Sequence, residues 1–74
     1  MYQRISITVE LGRNEQKDTQ VVEIDEYSTV EQLLRFLGFV PDECIVLKSR
    51  TPIPITETLK DGDRVKIIRV ASGG

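Results

Sequence analysis

Histidine and tryptophan are absent from this 74-residue chain, and it has a single cysteine, Cys44. A zinc site of cysteine and histidine ligands cannot be built from such a set, nor can a Cys–His nucleophile pair. One cysteine also excludes an internal disulfide framework, so a reducing, cytoplasmic setting is the expectation. No uninterrupted apolar run exceeds the four residues Cys44–Leu47, where a membrane-spanning helix needs about 20. Met1 leads directly into an alternating pattern, so no secretory leader is expected. Basic runs are missing too. With a net charge of −2, this argues against nucleic-acid and membrane-surface partners.

What is present fits one small folded domain. Apolar residues make up 39% and charged residues 30%, a balance that suits a globular protein rather than a disordered one. A chain of this length buries only about 60–65% of its unfolded surface, so its core must be compact. Charge is distributed unevenly. Residues 1–40 carry four basic and seven acidic side chains, and residues 41–74 carry six basic and five acidic. The C-terminal half is mildly positive around Lys60, Arg64, Lys66 and Arg69.

The opening YQRISITVEL alternates, with Ile5, Ile7, Val9 and Leu11 on one face, which predicts a half-buried strand. GRNEQKDT reads as a hairpin loop, and QVVEID as a second strand with Val22 and Ile24 inward. The period then changes. Val30, Leu33, Leu34 and Leu37 form one helical stripe. Ser28 with Glu31 predicts a capping box, Glu31 and Arg35 an i, i+4 pair, and Gly38 a left-handed exit. ECIVLK reads as a third strand, and its alternation leaves open whether Ile45 and Leu47 or Cys44 and Val46 face inward. The prolines of SRTPIPIT restrict any strand there to a short edge piece. Leu59 is a core candidate, and Asp61-Gly62-Asp63 a turn. RVKIIRV is the last strand, with Val65 and Ile67 on one face and Lys66, Ile68 and Val70 on the other. The order β-β-α-β-β-β predicts an α+β domain: one mixed sheet with a single helix packed on one face. Ile68 is then apolar on the side the helix leaves bare.

The sequence ends VASGG. At a glycine frequency of roughly 7%, two adjacent terminal glycines arise by chance in about one chain in 200. The β-β-α-β-β-β order, the approach LKDGDRVKIIRV and the terminal Gly73-Gly74 together resemble the ubiquitin-like β-grasp proteins. Their prokaryotic branch, the sulfur carriers of thiamine and molybdopterin synthesis and the small archaeal modifiers, is the nearest match. The likeness covers nearly the whole chain. It departs from the molybdopterin carriers, which usually have an aromatic-proline segment before their glycines.

The resemblance implies a ubiquitin-like domain over residues 1–70 and a flexible tail over 71–74. It implies no catalytic residue, metal or cofactor in the chain itself. An ATP-using activating enzyme is expected to adenylate the Gly74 carboxylate and pass the acyl group to sulfur or, through a thioester, to a lysine amine. Gly73 and Gly74, lacking Cβ, suit a narrow channel, and four extended residues reach roughly 13–14 Å. The family's recruiting patch falls on Ile68, with Lys66 beside it and Val70 and Ser72 toward the tail. Expected partners are that enzyme and either target proteins modified at lysine or a sulfur-accepting biosynthetic enzyme, with the free protein a monomer. Two other readings stand beside this one: a dedicated thiamine or molybdopterin sulfur carrier, and a passive β-grasp interaction module that never uses its tail. Lys17, Lys48, Lys60 and Lys66 are candidate acceptors for a second copy. Cys44 reads as a small core residue, and Asp61 and Asp63 as turn formers.

Overall fold

A computed structural model describes residues 3–13 and 16–70. Strand β1 (Arg4–Arg13) is followed by β2 (Gln16–Asp25), helix α1 (Val30–Phe36), a 3-10 turn (Pro41–Glu43), β3 (Cys44–Lys48), β4 (Thr51–Ile53) and β5 (Arg64–Arg69). The five strands form one sheet in the order β2-β1-β5-β3-β4. β1 is antiparallel to β2 and parallel to β5, while β3 is antiparallel to both β5 and β4.

The alternation of β1 places Ile5, Ile7 and Val9 inward, where they meet Ile24, Val46, Val65, Ile67 and the helix residues Val30, Leu33 and Leu34 in one buried core. Leu11, Val22 and Leu37 pack against its edge. Leu59 closes it. The expected core therefore forms, and the third strand's facing is resolved. Val46 is buried and Ile45 is 45% exposed, so Cys44 and Val46 face inward. β4 is a three-residue edge strand, as its prolines require.

Two local expectations are corrected. The first concerns the hairpin. Its strands run on to Arg13 and from Gln16, ten paired positions in all, where a loop was expected over GRNEQKDT. Backbone pairing needs no apolar side chains, so Gly12, Asp18 and Thr19 continue the ladder past the end of the core. Asn14 and Glu15 lie outside the described residues.

The second concerns the cap, which is built by Thr29 and Gln32 rather than Ser28 and Glu31. The Gln32 amide donates to Thr29 Oγ1 (3.3 Å), and the Thr29 amide donates to Gln32 Oε1 (2.9 Å). Ser28 is buried, and its hydroxyl donates instead to the Asp25 carbonyl at 2.6 Å. Both S/T-x-x-E/Q registers are present in the sequence, and the turn after β2 selects the later one. The other early helix donors are satisfied by the segment that crosses the helix start. Val30 N–H reaches the Glu57 carbonyl and Glu31 N–H the Ile55 carbonyl, both at 2.9 Å. No orphan amide of the first turn remains. The Glu31–Arg35 pair forms at 3.1 Å, and Gly38 exits with φ +88°.

Residues 60–63 lock the beginnings of β1 and β5 together. Ser6 N–H donates to Asp61 Oδ1 (2.8 Å), Gly62 N–H to the Ser6 carbonyl (2.9 Å), and Thr8 N–H to the Asp63 carbonyl (2.9 Å). Asp63 Oδ2 accepts from Lys60 N–H at 2.9 Å. Both carboxylates are turn anchors. Gly62 holds φ +87°, and a side chain there would meet no atom within 4 Å. Two substitutions test this packing by urea unfolding. Leu34→Ala removes a fully buried side chain and is expected to cost about 2–5 kcal/mol. Gly62→Ala meets no clash, and its cost, about 1–2 kcal/mol, is backbone strain alone. A Leu34→Ala loss below about 1 kcal/mol would place that residue outside the core.

Candidate functional site

Because α1 covers only one face of the sheet, the outward residues of β5, β3 and β1 form a second surface. Lys66 and Ile68 lie on it, both half-buried by their neighbours. The β3–β5 register sets Ile68 opposite Ile45 and Lys66 opposite Leu47, and the β1–β5 register sets Lys66 opposite Glu10. Lys66 lays its stem along β1 toward Gly12. A Cβ built on Gly12 would come within 3.2 Å of Lys66 Cε, so a larger residue at 12 would displace that lysine.

Val70 follows the last ladder residue, 45% exposed, and its N–H donates to the Glu43 carbonyl at 2.8 Å. This bond anchors the chain just before the expected tail. Ser72, Gly73 and Gly74 lie outside the described residues. The structure thus brings Lys66 and Ile68 to the outward face of β5 and sets Val70 just past its end, with Ile68 half-buried opposite Ile45. From the sequence, Ile45 and Leu47 are one of two candidate inward pairs, and the structure turns them outward onto this face. Their role follows once Val46 is fixed inward, and the antiparallel match of CIVLK to RVKIIR was the signal available.

Cys44 faces the covered side opposite Arg69 and packs against the core's edge. Burial pushes its thiol above the ordinary value, with the Arg69 charge pulling down and Glu43 pushing up. The thiol is therefore neutral near pH 7 and a poor nucleophile. Among the described residues no three His, Cys, Asp or Glu side chains gather as a metal site. No described helix is long and apolar enough to cross a membrane.

Comparison with known proteins decides the family. The ThiS family model matches residues 11–74. The chain belongs to the ThiS family. This ThiS-family chain is 33% identical over 70 residues to Small archaeal modifier protein 2 of Haloferax volcanii, covering 95% of this chain and 100% of that protein. It is 36% identical over 61 residues to an uncharacterized protein of Archaeoglobus fulgidus, covering 81% and 85% respectively. Among solved structures it resembles the Caldiarchaeum subterraneum ubiquitin, with a TM-score of 0.70, 18% identity, and coverage of 97% of this chain and 100% of that one. The last likeness establishes the fold as ubiquitin-like β-grasp. Together they place the chain among small ubiquitin-like modifiers and sulfur carriers.

The Cys44 environment gives a direct check. Iodoacetamide should alkylate the folded protein at pH 8 more slowly than the urea-unfolded chain, and the folded rate should rise with a midpoint at higher pH. A folded midpoint below the unfolded one would mean an activated thiol.

Proposed function

We propose that this protein is an activated acyl carrier whose Gly74 carboxylate is adenylated by a partner enzyme, then converted to a thiocarboxylate or joined to target lysines. The observation that carries this reading is the family match, whose span of residues 11–74 takes in β5 and the two terminal glycines. A free carboxylate is a poor acyl donor. Attack of its oxygen on the α-phosphorus of ATP expels pyrophosphate and leaves an acyl-adenylate. A sulfur nucleophile then displaces AMP at the carbonyl carbon. A sulfide-level donor leaves a thiocarboxylate, while an enzyme thiolate leaves a thioester that a lysine amine can open.

In this reading the chain supplies no catalytic group. β5 sets the direction in which the tail leaves, and the Val70–Glu43 bond holds its root. Gly73 and Gly74 give the slim backbone that enters the enzyme. Ile68, with Ile45 beside it, offers the apolar contact for docking, and Lys66, Val70 and Ser72 flank the path to the active site. The ThiS family match favours sulfur carriage, and the likeness to a small archaeal modifier favours conjugation. One chemical intermediate serves both.

Mass spectrometry of protein recovered from its native host separates the outcomes. Replacement of one carboxylate oxygen by sulfur at Gly74 reports carriage. The last tryptic site is Arg69, so conjugation leaves Val70-Ala71-Ser72-Gly73-Gly74 as a branch on target lysines, and deletion of Gly74 abolishes it. Ile68→Asp should reduce both signals while leaving the far-UV circular dichroism unchanged. A host that expresses the activating enzyme but yields neither signal would favour a passive interaction module.

A further inference from the structure

The sheet has two outer edges, and only one of them is blunted. At one side β4 is three residues long and contains Pro52, which cannot donate to a further strand. At the other side β2 runs for ten residues without a proline. Among the described residues no strand lies beyond it. A long edge of this kind is a template for another strand unless charge or shape guards it.

The bonds at the start of β1 fix which backbone groups point off this edge. Ser6 and Thr8 direct their N–H groups, and Ser6 its carbonyl, toward residues 61–63 on the β5 side. The even-numbered residues of β1 therefore face β5, and the odd-numbered ones bond to β2. Through the register Ile5–Ile24, Ile7–Val22 and Val9–Gln20, the even-numbered residues of β2 are used up inside the sheet. The Glu26 N–H, which donates to the Gln3 carbonyl at 2.8 Å, keeps the same phase. The N–H and C=O groups of Thr19, Val21 and Glu23 are left on the outer edge. Val21 stands on the face away from the core, opposite Thr8, and is 65% exposed.

An antiparallel copy of β2 meets this edge with its own charges matched. With a two-fold axis at Val21, valine meets valine, Thr19 meets Glu23, and the register position of Lys17 falls opposite that of Asp25. Opposite charges directly across a strand pair favour it, and like charges oppose it. Neighbouring registers fit less well. An axis at Gln20 sets Val21 against Thr19 and gives up the apolar contact. An axis at Val22 sets Val21 against Glu23 and takes Lys17 past the end of the partner strand. An axis at Glu23 sets that carboxylate against itself. The charges that guard the edge against other strands thus suit a second copy of the same one.

We propose that two copies of this chain pair reversibly through antiparallel β2 strands about a two-fold axis at Val21. Thr19, Val21 and Glu23 exchange about six backbone hydrogen bonds across the seam, and Val21 packs on its counterpart. The contact is isologous and closes on itself, so it makes a dimer and not a fibre. A seam without a core belongs to the weak, transient class, and the monomer expected from the resemblance is its dilute form. At about 4.8 Å per strand, the order β2-β1-β5 sets the two β5 strands about 24 Å apart in one continuous sheet. Neither docking surface is covered, and the pairing is independent of any reaction at Gly74.

The test is small-angle X-ray scattering of the full-length protein from about 20 µM to about 2 mM, with amide hydrogen exchange followed by NMR over the same range. The scattering mass should rise from one chain toward two. The N–H groups of Thr19, Val21 and Glu23 should gain protection with concentration, while those of Gln20, Val22 and Ile24 are protected throughout. Val21→Asp should raise the dissociation constant at least about tenfold with circular dichroism unchanged. Asp25→Lys should weaken the dimer severalfold, and adding Lys17→Asp to the same chain should restore it. A mass of one chain at every concentration would overturn the proposal. So would a dimer that survives Val21→Asp, a double variant as weak as Asp25→Lys alone, or concentration-dependent protection confined to β3 and β4.

Discussion

The first and last strands run side by side in the same direction, joined over the pairs Thr8–Arg64 to Leu11–Ile67. A parallel pair cannot be made by a tight turn; the chain must leave the sheet and return. Here the return uses α1, the 3-10 turn, β3, β4 and the segment through Leu59. Each of these is held by what it contributes to closing that path. The helix places Val30, Leu33 and Leu34 over the inward faces of β1 and β5. The crossing segment supplies carbonyls to the helix start, and the Asp61–Asp63 turn ties the two strands at their common beginning. Because one helix covers one face, the pairing also produces the bare face. Because β5 is central and last, it carries the chain off the sheet between β1 and β3.

This constraint links fold to chemistry. In the proposed activation, the carboxylate must reach a partner's nucleotide while the domain stays outside. A central final strand, held on both sides and anchored once more at Val70, offers a rigid base for that reach. The same strand displays the outward residues Lys66 and Ile68, so the proposed docking surface and the base of that reach share one element.

Much of this was legible in the residues. The period change from ISITVEL to VEQLLRFL fixes strand and helix, and the prolines around Ile53 fix an edge. Asp61 and Asp63 flanking a glycine mark the turn that aligns β1 with β5. Other features depend on tertiary context that local pattern does not carry. Thr29 caps instead of Ser28 because Ser28 is claimed by the Asp25 carbonyl. The hairpin outruns its apolar pattern because polar residues pair through backbone alone. The facing of β3 is set by its neighbours, since CIVL is apolar on both sides. The left-handed turn at Ser49 and Arg50 gave no signal in the sequence, since neither residue type favours a positive φ.

In the proposed activation the carboxylate of Gly74 is the reacting group, and a single chemical change isolates it. Pyrophosphate exchange into ATP can be followed with the native host's activating enzyme, comparing the free-acid protein with one carrying a C-terminal amide at Gly74. The amide leaves the domain, its bare face and both glycines in place while removing the attacking oxygen. Exchange is expected with the acid and none above background with the amide. Exchange of equal rate with both forms would contradict it.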